Sequence, residues 1–309
     1  MIYKKILNKI FNNEIISKVE PLNKGWSNDT KYYIEDKENN KFLLRISVFP
    51  LYDKKLYQYN LLKEISKLEI NAPKPLELGN IDNYVYFILS WIEGNDAEKI
   101  TPTLDEETQY LLGINAGLTL KQIHSIKIKS DINWAAYFKA RVEDRIKKVK
   151  ESSIKHKYLN LFSNYLLDNI GLIKDRPISI LHGDYHLGNM LLNDNLELGI
   201  IDFDKMKIGD PIYDFKQMIW TTRVSNVFAT GLIDGYTDFK PKNDFFKLLL
   251  LYSIESSIAN LYWTSKFEKA DKKVASELFD NLYKNYDGLT TIIPLWYDGK
   301  LKIKYKDLK

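Results

Sequence analysis

The chain has 309 residues, of which 45% are hydrophobic, 13% aromatic and 28% charged, and its formal net charge is +4. This length suits two lobes or two small domains, and the composition excludes a disordered chain. Because the charges are spread along the chain and the basic excess is small, we expect no nucleic-acid partner.

The chain contains no cysteine, which excludes disulfides, thiolate catalysis and cysteine-ligated zinc. The N-terminal residues alternate charged and apolar side chains, unlike a signal peptide. The most apolar long segment, Phe245–Trp263, is interrupted by Lys247 and Glu255, so we predict a buried helix rather than a membrane span. We therefore expect a cytoplasmic protein without membrane contacts, as a monomer or weak dimer.

The first 92 residues predict a small β-rich lobe with one main helix. The apolar patterns predict a short amphipathic helix at 1–13, strands at 15–22, 31–35 and 41–48, a helix at 51–68, and strands at 76–78 and 84–91. After Gly94 the pattern becomes mostly helical. We predict a larger lobe over residues 93–309, with helices at 105–126, 131–152 and 155–170 and mostly helical structure at 214–286. The spacing of Gly113 and Gly117 would permit a close helix contact.

Between these helices, residues 178–201 predict short strands and turns around a group of polar side chains. His182-Gly183-Asp184 is followed by Asn189, and Asp202 leaves a second apolar strand. Strands at 190–192 and 196–201, joined by the turn at 193–195, form a predicted hairpin. Its open ends lie side by side, so oxygens of Asn189 and Asp202 can reach one ion.

This arrangement suits phosphoryl transfer. Mg²⁺ prefers a few hard oxygen ligands from protein, and one carboxylate with one amide supplies them. A second carboxylate, that of Asp184, can orient a substrate hydroxyl and accept its proton. Phosphoryl transfer requires little of the protein beyond positioning the reactants and neutralising their charge.

The pattern His-Gly-Asp-x4-Asn followed by Ile-Asp-Phe resembles the aminoglycoside phosphotransferase family, relatives of the protein kinases. Gly183 stands where protein kinases have Arg, and Asp204 where they have Gly; both differences are usual in the small-molecule enzymes. The segment at 209–215 and the order of the lobes extend the resemblance over roughly residues 15–290. It implies an α+β, protein-kinase-like bilobal fold: a nucleotide-binding lobe at 1–92, and a helical lobe at 93–309 with the catalytic loop, metal site and substrate pocket.

The resemblance implies Mg²⁺-dependent transfer of the γ-phosphate of ATP or GTP to a hydroxyl of a small molecule, foremost an aminoglycoside antibiotic. Asp184 would be catalytic, Asn189 and Asp202 would bind the metal, and His182 and Asp214 would support the loop. The nucleotide would meet Gly25, Ser27 and Asn28 in a loop, Arg45 on the third strand, and the Ser90 carbonyl and Ile92 amide at a hinge.

The chain departs from the family at one position. The third-strand cation is usually paired with a Glu on the small-lobe helix, and the spacing puts Gln58 there. Glu64 or another acid is the alternative partner. Asp204 could contact a second metal ion or face solvent, and we favour solvent.

Other interpretations remain open at this point. His182 and His186 could suggest zinc, but no further histidine or cysteine lies nearby. Glu255 could face a cationic substrate or be an ordinary exposed acid. The acceptor could be a macrolide, a choline-like or amino alcohol, or a sugar. A non-catalytic nucleotide-binding module is the competing function; Gln58 supports it, and the intact Asp184, Asn189 and Asp202 oppose it.

Overall fold

The computed structural model describes residues 2–11, 15–23, 29–265 and 269–305. Its strands are β1 (Ile16–Leu22), β2 (Thr30–Asp36), β3 (Lys41–Val48), β4 (Pro75–Ile81), β5 (Tyr84–Ser90), β6 (Asn95–Asp96), β7 (Ser179–Leu181), β8 (Met190–Leu192), β9 (Leu198–Ile200) and β10 (Lys207–Gly209). Its α-helices are α1 (Ile2–Phe11), α2 (Tyr52–Ile65), α3 (Ala97–Ile100), α4 (Glu106–Ser125), α5 (Trp134–Lys150), α6 (Leu159–Asp168), α7 (Met218–Thr222), α8 (Asn226–Tyr236), α9 (Asn243–Thr264), α10 (Lys269–Asn285) and α11 (Leu301–Lys304).

The chain divides into two compact units. The first consists of Met1–Asn95 and Leu191–Lys207, and the second of Asp96–Met190 and Ile208–Lys309. Thus the segment that contains β9 and the turn after it belongs to the first unit, although it lies far along the chain.

The first unit is built on a five-stranded antiparallel sheet with the order β1-β2-β3-β5-β4. One face of the sheet is buried because α1 covers it with its apolar side. Ile6 and Leu7 of the helix pack there against a cluster that includes Ile34, Leu44 and Tyr86. The strand that carries Arg45 is central in this sheet, which gives that side chain a rigid support.

The β8–β9 hairpin is closed by Asn193. Its side-chain oxygen accepts hydrogen bonds from the amides of Asn195 and Glu197, at 3.0 and 2.9 Å, and Leu196 adopts a left-handed conformation with φ of 59°. Asn side chains commonly stabilise tight turns in this way. The hairpin therefore forms where the sequence predicts it.

In the second unit, α4 and α8 cross with their backbones in close contact. A Cβ atom on Gly113 would lie 2.2 Å from the Phe228 carbonyl oxygen, and one on Gly117 would lie 2.3 Å from that of Leu232. Only glycine permits this approach, so the predicted close helix contact is confirmed.

The sheet and the helices together give the predicted α+β class. The segment predicted as a buried helix is α9, most of whose residues from Phe245 to Leu261 are buried. Within the described ranges, no helix combines the length and apolarity needed to cross a membrane.

Candidate active site

In the second unit, the chain turns sharply after β7 and presents Asp184. Gly183 has a φ of 89°, a conformation that glycine adopts without strain. The amide of Asp184 donates to Nδ1 of the fully buried His182 at 3.3 Å. The His182 ring therefore accepts a hydrogen bond from the backbone of the loop.

Two uncharged amide groups hold the carboxylate of Asp184. Gln217 Nε2 donates to Oδ1 at 3.0 Å, and Asn189 Nδ2 donates to Oδ2 at 3.2 Å and to the Asp184 carbonyl oxygen at 2.9 Å. The side chain is only 8% exposed. Since both oxygens have a donor, the carboxylate is fixed in one orientation.

Asn189 ends a short 3₁₀-helix, Leu187–Asn189, whose first turn is capped by His186. The His186 Nε2 atom lies 3.9 Å from the Asp184 carboxylate. Among the described residues, no group of three or more His, Cys, Asp or Glu side chains is arranged to hold a metal. Because the amide nitrogen of Asn189 donates to Asp184, its side-chain oxygen is the atom that could serve as a metal ligand.

Asp214 anchors the backbone of the same loop from the interior. Its fully buried carboxylate accepts hydrogen bonds from the amides of His182 and Gly183, at 2.8 and 2.7 Å, and lies 3.1 Å from His124 Nε2. Burial by itself would raise the pKa of Asp214, but the hydrogen bond and charge of His124 lower it below its usual value. The carboxylate is therefore a stable acceptor for two loop amides.

Three residues that contact this loop or its anchor Asp214 are not predicted from the sequence: His124, Lys216 and Gln217. Lys216 Nζ donates to the Gly183 carbonyl oxygen. Gln217 follows Asp214 by three residues within the 3₁₀-helix Pro211–Gln217, and residues three apart in such a helix lie on the same side. That spacing could have identified Gln217 once the helix type was known.

Glu255 is fully buried in α9 rather than facing a ligand. Arg141 Nε donates to its Oε1 at 2.8 Å, Arg145 Nε lies 3.4 Å from the same atom, and the Tyr213 hydroxyl donates to Oε2 at 3.0 Å. The two arginines already neutralise this carboxylate. We therefore withdraw Glu255 from the substrate residues and assign it to the packing of the second unit.

In the first unit, four charged side chains form what we call the Arg45 cluster: Arg45, Lys55, Asp29 and Asp204. Arg45 Nη2 lies 2.8 Å from Asp29 and 3.1 Å from Asp204. Lys55 Nζ on α2 donates to the same two carboxylates, at 2.7 and 2.8 Å. The two cations are almost fully buried, at 5% and 2% exposure. The cluster thus joins β3, α2, the start of β2 and the turn after β9.

The cluster identifies the acid partners of Arg45, which the sequence left open, and corrects one expectation. Gln58 donates to the backbone oxygen of Asp204, so the acid that pairs with Arg45 comes from Asp29 and Asp204 rather than from α2. Asp204 is an ion-pair partner, not a solvent-facing acid. Burial would raise the pKa of both carboxyls, but Arg45 and Lys55 outweigh it and the pKa of each is lowered.

Asp202 lies next to this cluster in a left-handed conformation, with φ of 62°. Its Oδ1 lies 3.5 Å from Arg45 Nη1, yet this buried oxygen accepts no hydrogen bond from any of the described residues. A buried carboxylate oxygen without a donor is costly unless a cation approaches it. The carboxylate oxygen of Asp202, like the amide oxygen of Asn189, is therefore suitable as a hard oxygen ligand for Mg²⁺.

The remaining predicted nucleotide residues fall in two places. Gly25, Ser27 and Asn28 lie outside the described residues. Ser90 ends β5, where its amide and hydroxyl bond the backbone of Lys74, and Ile92 follows in the next segment.

Comparison with solved structures defines the fold. The chain is similar to the streptomycin–ATP–APH(2")-IIa ternary complex (TM-score 0.63, 18% identity, covering 90% of this chain and 95% of that one). It is also similar to the GDP and kanamycin complex of APH(2")-IIia (0.68, 15%, 92% and 99%). The chain is similar as well to a ternary complex of a thermostable aminoglycoside phosphotransferase APH(4)-Ia mutant with ADP and hygromycin B (TM-score 0.64, 15% identity, covering 92% of this chain and 98% of that one). The chain thus has the protein-kinase-like fold of aminoglycoside kinases.

The sequence gives the family. The profile of the phosphotransferase enzyme family matches residues 18–246, well over half of the chain, whereas a comparison with curated proteins finds no match. The chain therefore belongs to the phosphotransferase enzyme family. It is a small-molecule phosphotransferase with an alcohol group as acceptor, and the resemblance noted from its motifs is confirmed.

Proposed function

We propose that this phosphotransferase moves the γ-phosphate of ATP or GTP to a hydroxyl group of an aminoglycoside, using Mg²⁺. The observation that carries the proposal is the carboxylate of Asp184, held at both oxygens by the amides of Gln217 and Asn189. Hydrogen bonds from two amides fix the orientation of this carboxylate, as a group that accepts a proton from a reacting hydroxyl requires.

Asp184 would act on the acceptor. Its carboxylate would accept a hydrogen bond from the acceptor hydroxyl and align the oxygen with the γ-phosphorus. It would take the proton as the new O–P bond forms and the bond from the γ-phosphorus to the bridging oxygen breaks, which releases ADP or GDP. His182 and Asp214 would keep the loop in place through their contacts beneath it. General-base assistance of this kind contributes about 10²- to 10⁴-fold to rates.

Residues of the first 92 positions would bind the nucleotide. Arg45 would contact the α- and β-phosphates, because its planar group suits phosphate oxygens. Gly25, Ser27 and Asn28 would cover the phosphates, and the Ser90 carbonyl and Ile92 amide would bind the base.

Asn189 and Asp202 would hold Mg²⁺. When bound, the ion would neutralise phosphate charge as the γ-phosphoryl group is transferred. The carbonyl oxygen of Asn189 and the donor-free Oδ1 of Asp202 are suitable ligand atoms. The similar structures hold ATP, ADP or GDP, which supports a purine nucleotide as co-substrate.

The acceptor class comes from the similar structures, which hold streptomycin, kanamycin or hygromycin B. Aminoglycosides are polycations and would favour carboxylates that have no cationic partner. Glu255 does not supply one, because Arg141 and Arg145 neutralise it. Residues 93–309 would therefore bind the acceptor through other groups, and an acceptor panel must include neutral alcohols.

The test is mass spectrometry of products after incubation with Mg²⁺ and ATP or GTP. Acceptors are an aminoglycoside panel, a macrolide, choline and a sugar. A phosphate-sized mass gain on an aminoglycoside, absent with Asp184→Ala, is the expected result. A gain only on another acceptor would contradict the aminoglycoside proposal, and nucleotide binding without any transfer would favour the non-catalytic module.

A further inference from the structure

The charges on α2 are arranged differently from those that the resemblance implies. The expected partner of the third-strand cation is an acid on this helix, but Gln58 bonds a backbone oxygen instead. The helix contributes a cation, Lys55, and the acids come from Asp29, which directly precedes β2, and from Asp204. Both cations meet both acids.

We infer that Lys55 is a positioning residue for nucleotide binding, which acts by leaving the charge of Arg45 available to phosphate. This inference rests on the proposed function. Arg45 and Lys55 carry two positive charges, and Asp29 and Asp204 carry two negative ones, so the cluster is balanced. Lys31 and Asp202, which also interact with these groups, add one charge of each sign. Without Lys55, Arg45 would be the one cation in direct contact with the two carboxylates, at 3.1 Å or less, and the group as a whole would be net negative.

The geometry of Arg45 supports this role. Its Nη2 atom is buried and lies close to Asp29 and Asp204, but it makes no well-directed hydrogen bond to any described residue. Arg45 Nε, by contrast, donates to Asp29 at 2.9 Å. The acids therefore lie along the Nε and Nη2 side of the guanidinium, and Nη1 lies 3.5 Å from Asp202, so a second cation is needed to offset the carboxylates around Arg45.

Lys55 also cannot be an incidental surface charge. Lysine is almost never fully buried unless it is paired, and Lys55 is 2% exposed with two carboxylate partners. Because Asp29 directly precedes β2, Lys55 ties the start of that strand to α2 as well as balancing charge. A purely structural tie and a charge-balancing role predict different effects on phosphate binding.

The experiment compares equilibrium binding of ATP and GTP with that of adenosine and guanosine, which lack phosphate. Lys55→Met removes the charge at similar length, and Lys55→Arg restores it. Lys63→Met, on an exposed position of the same helix, is the matched control. We expect Lys55→Met to weaken triphosphate binding roughly 10-fold or more, since a balanced buried cluster becomes net negative. Nucleoside binding should change little, and Lys55→Arg should stay close to the unaltered protein.

The double variant Lys55→Met/Asp29→Asn separates charge from structure. It removes one charge of each sign, so we expect triphosphate binding to recover towards the unaltered level. It also keeps the test valid if the single variant does not fold. Equal losses for triphosphates and nucleosides, no loss in Lys55→Met, or no recovery in the double variant would each overturn the inference. Failure of the unaltered protein to bind any nucleotide would instead overturn the proposed function, and this inference with it.

Discussion

Arg45 and Asp184 are both buried charged side chains, but their partners differ in kind. Arg45 in the first unit is held by carboxylates and shares them with Lys55. Asp184 in the second unit is held by the neutral amides of Gln217 and Asn189. Charged partners balance a charge, whereas neutral donors orient it without cancelling it. A phosphate-binding cation can be tuned by balance, but a base must keep its own charge.

The largest effect is expected at Asp184, because its substitution tests the role of this carboxylate most directly. Asp184→Ala should lower kcat about 10²- to 10⁴-fold, because it removes the group that takes the hydroxyl proton. Nucleotide affinity should change little, since the residues proposed for the nucleotide are unaltered. Steady-state kinetics and equilibrium nucleotide binding measure the two effects. Asp194→Ala, in the exposed hairpin turn, is the control; an active Asp184→Ala enzyme would remove the residue from its role.

The next largest effect is expected at Asp202. Asp202→Asn retains a residue type that tolerates the left-handed conformation but removes the carboxylate charge. In the unaltered protein Mg²⁺ should raise nucleotide affinity, and in Asp202→Asn we expect this gain to be smaller by a factor of at least about 10. Substitution of residues that only support metal ligands already has effects of that size. Titration of nucleotide with and without Mg²⁺ measures this. An undiminished effect of Mg²⁺ would contradict the metal assignment.

A smaller effect is expected at Gln217, which tests whether neutral donors orient Asp184. Gln217→Leu leaves one carboxylate oxygen without its donor, and hydrogen bonds to charged groups contribute about 1.5–3 kcal/mol. We expect kcat to fall roughly 10-fold or more while the KM for nucleotide is maintained. Gln122→Leu, at an exposed position on α4, is the matched control. A change in both KM values with kcat unchanged would indicate a binding role instead.

Ser256 provides a second test of how Gln217 orients Asp184. Its hydroxyl donates to Gln217 Oε1 at 3.2 Å, which turns the Nε2 group towards Asp184. Ser256→Ala permits the amide to rotate, so we expect a loss in kcat in the same direction as for Gln217→Leu but smaller. Combined with Gln217→Leu, it should add little, since both act on one contact. Additive losses in steady-state kinetics would show that Ser256 acts by another route.

The smallest effect concerns stability in acid. The Arg45 cluster lowers the pKa of Asp29, so its contribution to the free energy of unfolding is fully present above the unfolded-state pKa of about 4. It is lost as the pH falls through the lower folded-state pKa. Denaturant unfolding should therefore show a deficit for Asp29→Asn that is constant near neutral pH and shrinks below about pH 4. A deficit that grows in acid would contradict the charged state of Asp29.

The pattern of neighbouring residues in the sequence correctly predicted the strands and helices that carry the site. The β8–β9 hairpin follows from apolar runs separated by Asn193 and its neighbours, and the contact of α4 with α8 from the spacing of Gly113 and Gly117. The hairpin and the spacing of the two glycines depend on residues close in sequence, whereas the identity of α8 as the partner of α4 was not predicted. Side-chain partners far apart in sequence were less accessible: Lys55 meets Asp204 across 149 positions, and no local pattern indicates that pairing.

Two side chains whose surroundings were predicted wrongly show the same limit of prediction from the sequence. Glu255 and Asp204 are acids whose sequence context is compatible with solvent, a metal or a ligand, because an isolated acid has no periodicity to interpret. Burial against Arg141 and Arg145 decided the first, and the Arg45 cluster decided the second.

The sequence by itself determined the family, the α+β class and the residue types that phosphoryl transfer needs, because motif spacing and hydrophobic periodicity are local properties of the chain. Only the tertiary structure decided which groups contact each buried charge: carboxylates shared with Lys55 contact Arg45, and the amides of Gln217 and Asn189 donate hydrogen bonds to Asp184. The physical reason is that the cost of burying a charge depends on which groups surround it in space. In this chain those groups come from segments that the sequence keeps far apart.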